Sequence, residues 1–130
     1  MAKFVCPATT PWTRRRLSSF APDIVLLPCS HDLHQDHETV TREGLRAFRN
    51  GTLLGYEMPR NNITFSAQSF VVITEDDLQA KIRALKCYES QKFRGYTDER
   101  YIRALATTRG VQIGVELAES FEVLRWVMPL

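Results

Sequence analysis

An unbroken apolar run, Ile24-Val25-Leu26-Leu27, opens after Pro22-Asp23 and stops at Pro28, and it restricts the fold more than any other segment. Side chains alternate between faces along a strand, so a run without polar interruption buries both faces, as parallel strands do in helix-covered sheets. Residues 39–49 then place Val40, Gly44, Leu45, Ala47 and Phe48 on one helical face, with Arg42, Arg46 and Arg49 toward the end and Asn50-Gly51 as the stop. Asp36 is the expected N-cap of that helix.

The same alternation continues downstream. Residues 53–57 and 70–73 read as strands separated by the turn cluster 59–62. Thr74 followed by Glu75, Asp76 and Asp77 marks a helix start, and Leu78, Ile82, Leu85 and Tyr88 give its buried stripe as far as Ser90. A further helix is expected from Thr97-Asp98-Glu99 to Gly110, and residues 119–127 favour a final strand. Strands interleaved with helices predict an α/β layered domain, in which sites collect in loops beyond the carboxyl ends of parallel strands. A chain of 130 residues supports one core, so a single domain is expected over 22–130. Residues 1–21 differ: Pro7, Pro11 and Arg14-Arg15-Arg16 sit in a stretch with no sustained period, and the arginine run reads as solvated surface.

Composition narrows the partners. With 44% hydrophobic and 25% charged residues and a formal charge of +2, no dense basic face is expected, and nucleic acid is not an expected partner. Cys6, Cys29 and Cys87 are odd in number and widely spaced, which argues against a disulfide framework or a zinc ribbon and fits a reducing, cytoplasmic setting. No apolar run approaches the length of a membrane span, and no leader pattern is seen, so no integral membrane segment is expected.

The chemistry concentrates in one loop. His31, His34 and His37 are the three histidines of the chain, and they lie with Asp32, Asp36 and Glu38 between the apolar strand and the helix start. Imidazole and carboxylate are natural ligands of zinc and similar divalent ions, and residues three apart at a helix start can face the same side. Residue chemistry alone leaves three readings open. Asp36 caps the helix and the histidines are polar loop residues; or His31, His34 and His37 hold a metal by themselves; or the loop is part of a site that takes ligands from elsewhere.

Pro22-Asp23-Ile24-Val25-Leu26 followed by Asp32-Leu33-His34-Gln35-Asp36-His37 resembles the PIG-L or LmbE-like de-N-acetylases. Lys86-Cys87-Tyr88-Glu89-Ser90-Gln91 is similar to that family's helix ending in Ser-Gln. Arg109-Gly110 and Leu117-Ala118-Glu119-Ser120-Phe121-Glu122 are similar to its C-terminal Arg-Gly and Ala-Glu-x-Phe pattern. The resemblance covers the chain from Pro22 to Trp126. It implies a Rossmann-like three-layer sheet with helices on both faces, and a zinc-dependent hydrolase that removes acetyl groups from N-acetylated amino sugars or their conjugates. It further implies that His37 is the metal ligand, that His34 lies near the scissile amide, and that Asp36 orients His34. A protonated His34 would stabilise the oxyanion or help the amine leave.

Gln35 stands where the family usually has proline, a departure without chemical consequence. The larger departure is upstream. The family's first strand ends in Ala-His-Pro-Asp-Asp-Glu, supplying two more ligands and the general base, and these 130 residues contain no such segment. Thr74-Glu75-Asp76-Asp77 offers acids but reads as a helix start. The resemblance therefore implies that the chain corresponds to the C-terminal portion of the family's domain, with a sheet expected to be incomplete at its N-terminal strands and a catalytic set incomplete on its own. A strand edge left open in this way predicts a homo-oligomer or a complementing chain. The alternative expectation is a non-catalytic α/β interaction module, or fold remnant, that shares His34 and His37 with a partner's site.

Overall fold

The apolar run forms β1 (Ile24–Pro28), with Val25 and Leu27 almost wholly shielded from solvent. A computed structural model describes residues 22–88 and 94–128, so the irregular 1–21 segment and the Ser90-Gln91 pair lie outside the described residues. After β1 come α1 (Gln35–Ala47), β2 (Thr52–Tyr56), β3 (Ser69–Val72), α2 (Glu75–Lys86), a 3-10 turn (Gly95–Thr97), α3 (Glu99–Ile113) and β4 (Ala118–Arg125). The chain is thus a mixed α/β fold whose four strands lie in the order β1-β2-β4-β3.

The sheet is only partly parallel. β1 and β2 run parallel, from Ile24 opposite Thr52 to Pro28 opposite Tyr56. β4 pairs antiparallel with β2, with Gly55 opposite Glu122 and Tyr56 opposite Phe121. The described residues form two compact units, one made of residues up to Ser69 with those from Phe121 onward, the other Phe70–Ser120. In the first, Val25, Leu27 and Leu53 are the buried centre, with Val40, Leu45 and Phe48 of the α1 segment and Leu124 packed against them. In the second, Leu78, Ile82, Ile102, Ala106 and Leu117 form the centre, flanked by Ile73, Leu85 and Tyr101.

Several element ends differ from expectation for identifiable reasons. α2 has its full capping box, Thr74 Oγ1 accepting from Asp77 N–H and the Asp77 carboxylate accepting from Thr74 N–H. It ends at Lys86, so Tyr88 falls past the stripe and is exposed. α3 continues beyond Gly110 to a left-handed cap at Gly114, φ 75°. Gly110 instead lets the chain double back on the helix: an added Cβ would lie 2.6 Å from the carbonyl oxygens of both Val115 and Glu116. Among the described residues, no helix is long and apolar enough to cross a membrane.

Candidate active site

The loop after β1 is pinned at several backbone points before any side chain is considered. Cys29 N–H donates to Tyr56 O at 3.2 Å, Asp32 N–H to Cys29 O at 3.3 Å, and Leu33 N–H to Asn61 O at 3.1 Å. Asp32 and Asn62 form an isolated antiparallel bridge. The loop is therefore tied to the segment that follows β2, beyond the carboxyl ends of the two parallel strands, where α/β folds place their sites. Thr41 Oγ1 donates to Pro28 O at 2.9 Å and fixes α1 to the end of β1.

Helix α1 begins at Gln35, three residues after the buried Asp32, and its N-cap is His34, not Asp36 as expected. The His34 ring takes the place usually filled by Ser, Thr, Asp or Asn: its Nδ1 accepts from Asp36 N–H at 3.3 Å. A backbone N–H can only donate, so His34 Nδ1 carries no proton and the ring is a neutral imidazole with its hydrogen on Nε2. Asp36 meets His34 through this backbone N–H, while the residue itself is exposed in the first turn of α1.

The carboxylate that organises the loop is Asp32. Its side chain is fully buried, with Oδ1 accepting from His34 N–H at 2.8 Å and Oδ2 lying 2.6 Å from His37 Nδ1. A carboxylate accepts, so His37 Nδ1 is the donor, and in the neutral ring Nε2 keeps its lone pair. The rings of His34 and His37 lie 4.7 Å apart between centroids, tilted by 33°. Two neighbouring imidazoles are thus set in opposite senses, His34 offering an N–H and His37 offering a lone pair.

These assignments decide what the loop can hold. A histidine whose Nδ1 is bound to a carboxylate and whose Nε2 is free is the usual state of a metal-ligating imidazole, so His37 fits as a ligand. His34 does not, because one nitrogen is occupied as a cap and the other carries hydrogen. The reading of one ion held by His31, His34 and His37 therefore fails. Among the described residues no group of three or more His, Cys, Asp or Glu side chains is arranged to hold a metal ion.

On the other side of the loop, Glu122 reaches from β4 with its side chain 13% exposed. It accepts from Ser30 N–H at 2.7 Å and from Ser30 Oγ at 2.5 Å, and Ser30 Oγ lies 2.9 Å from His31 Nδ1. Cys29 beside it is buried. Burial pushes its thiol pKa up, and the Glu122 and Asp32 charges push the same way against a hydrogen bond from the His31 backbone.

No family model and no curated protein matches this chain. Among solved structures the chain is similar to an N,N'-diacetylchitobiose deacetylase from Pyrococcus horikoshii, determined in complex with its inhibitor MPG. The TM-score is 0.58, with 20% identity over 88% of this chain. The likeness shows a shared α/β fold. The chain spans about half, 52%, of that protein's length.

Proposed function

We propose that this chain carries the histidine loop of a zinc-dependent amide hydrolase of the PIG-L or LmbE-like type, acting on an N-acetylated amino sugar or its conjugate. The observation that carries the reading is the pair of oppositely set imidazoles, His34 and His37, organised by one buried carboxylate. The fold shared with a chitobiose deacetylase supports the substrate class. In this reading His37 Nε2 is one metal ligand, and the others lie beyond the described residues. When bound, the ion would act as a Lewis acid, polarising the amide carbonyl and acidifying water.

His34 Nε2–H is a fixed donor for the charge that develops on the carbonyl oxygen during attack. The sequence reading gives this task to a protonated ring; with Nδ1 accepting from Asp36 N–H, the donor at this position is Nε2–H. Asp36 supplies the N–H that holds that ring in place. Removing one such donor from an oxyanion site lowers kcat by about 100-fold to 1,000-fold, which is the loss expected of His34→Ala.

A second reading has its own support, because among the described residues no group of three or more His, Cys, Asp or Glu side chains is arranged to hold a metal ion, and the chain spans half of the similar structure. In that reading the chain is a non-catalytic module that contributes His37 to a shared site. The purified chain is incubated with zinc and N,N'-diacetylchitobiose, and released acetate is measured. Acetate release by wild type, lost in His37→Ala, supports the hydrolase. Zinc binding through His37 without any acetate supports the module and overturns the hydrolase.

A further inference from the structure

We infer that Glu122 and Ser30 form a clasp that positions the histidine loop for its metal ion, a role that rests on the reading above in which His37 is a ligand. The loop is held at three places. Asp32 N–H closes a four-residue turn on Cys29 O, with Ser30 and His31 at its tip. The entry is fixed by Cys29 N–H on Tyr56 O, and the exit by Leu33 N–H on Asn61 O. Both of those bonds come from β2 and the segment after it. The tip is reached from another strand: Ser30 N–H donates to Glu122 Oε2 at 2.7 Å, and Ser30 Oγ donates to Glu122 Oε1 at 2.5 Å.

The sheet leaves a path for this carboxylate. β2 lies between β1 and β4, so the Glu122 side chain must cross β2 to meet the loop that follows β1. Glu122 stands opposite Gly55 in the β2–β4 register. An added Cβ at Gly55 would lie 2.9 Å from Cys29 Cα and 3.2 Å from Glu122 Oε2, so a side chain there would occupy the path. The Glu122 side chain is 13% exposed, and a carboxylate withdrawn from water is costly unless its oxygens are used. Ser30 uses both.

The turn carries the clasp to the site. Its last residue is Asp32, whose buried carboxylate accepts from His34 N–H and lies 2.6 Å from His37 Nδ1. A rotation at Ser30 turns Asp32 with it, so the aim of that carboxylate depends on how the tip is held. Without the clasp, the tip exchanges its two bonds for water and the contact that keeps hydrogen on His37 Nδ1 loosens. The entry and exit bonds keep the loop folded in that case. Glu122 and Ser30 are thus positioning residues. Neither touches the ion or the amide, and what they set is how well His37 Nε2 is presented to the metal.

The test uses the full chain labelled with nitrogen-15, reading imidazole tautomers without zinc, and then calorimetric titration with zinc, at a temperature where circular dichroism shows every variant folded. Glu122→Gln offers one accepting oxygen and an amide NH2 to two donors, so one bond is lost. Ser30→Ala removes the hydroxyl bond alone. Wild type should show hydrogen on His37 Nδ1, and both variants should shift His37 toward the Nε2–H form. Zinc affinity should fall about 10-fold in each, the lower end of the losses that follow removal of a ligating histidine's support. Ser30→Thr should keep wild-type affinity, and the double variant should lose no more than the larger single loss, because the two groups act as one clasp. Variants that lose stability but keep the His37 tautomer and zinc affinity overturn the positioning role, and so do additive losses. A wild type that binds no zinc, with a His37 tautomer that still answers to Glu122→Gln, supports the clasp and overturns the metal reading.

Discussion

A fully buried carboxylate is costly unless its oxygens are used, and Asp32 uses both, on His34 N–H and His37 Nδ1. Asp32→Ala leaves two donors without their partner, so a loss of about 1–3 kcal/mol of stability is expected in chemical denaturation. Asp32→Asn keeps the shape but can donate as well as accept, so it no longer dictates the His37 tautomer. Zinc affinity is expected to fall about 10-fold to 100-fold in that variant, as for other lost partners of ligating histidines. Calorimetric titration checks it, and unchanged affinity in Asp32→Asn would show that His37 is held by something else. Asp32 lies inside the motif that is legible in sequence, but its burial is not, and burial is what makes it the organiser. His34 as a cap was hidden for another reason: imidazole is an uncommon N-cap, and Asp36 is the residue type that usually serves. Glu122 stands at the end of the C-terminal sequence pattern, but its pairing with Ser30 was hidden because the two are 92 residues apart.

Elements were legible where periodicity was strong and their ends were not, because ends depend on contacts between distant backbones. Gly110 looked like a helix stop, but the stop is Gly114, and Gly110 is small because the returning chain touches it. Gly44 is small for a related reason, since it is the point where α1 meets β1. An alanine Cβ there would lie 2.6 Å from Leu27 Cδ2 and 2.7 Å from Cδ1. Leu27 is fully buried and has little room to yield. Overpacking typically costs about 1–3 kcal/mol, against a gain of about 1 kcal/mol in helix propensity. Gly44→Ala should therefore lower Tm, and a rise would mean that Leu27 repacks freely. α2 and α3 are joined by a two-pronged ion pair in which both Arg103 terminal nitrogens donate to the Glu75 carboxylate, at 2.6 and 2.7 Å. Those bonds first, with help from Gln79, hold Glu75 down to about 2 from its usual 4.5. A depressed carboxylate stabilises the fold above its unfolded pKa, so this contribution is intact above pH 4.5 and fades as pH falls toward 2. The exposed pair contributes modestly. Glu75→Gln should flatten the acid limb of the stability curve in that window. Part of the slope should persist, because Asp77, bonded by Thr74, and Asp98, bonded by Arg100, are also lowered.

Taken as a whole, the molecule has a core in each of its two compact units, yet among its described residues no three His, Cys, Asp or Glu side chains are arranged to hold a metal ion. Zinc sites use three or four protein ligands, so an ion bound at His37 must draw the rest from beyond the described residues, whether in the same chain or in another. The two sources predict different behaviour. Among the described residues β1 has β2 as its sheet neighbour and stands at the end of the strand order, which leaves an edge for a second copy to approach. If the ligands come from a second copy, added zinc should shift sedimentation from monomer to dimer in wild type and leave His37→Ala unchanged. If they come from the same chain, zinc should bind without a change in mass. Both cases require that zinc stabilise the folded state, by about 2.7 kcal/mol at a free concentration 100 times Kd. A thermal melt should therefore rise with zinc, return with chelator, and show no zinc response in His37→Ala. Ser30→Ala should keep that response in weakened form, because Ser30 holds the turn and not the ion. A zinc shift that survives His37→Ala would remove His37 as the ligand, and with it the link between this loop and metal-assisted amide cleavage.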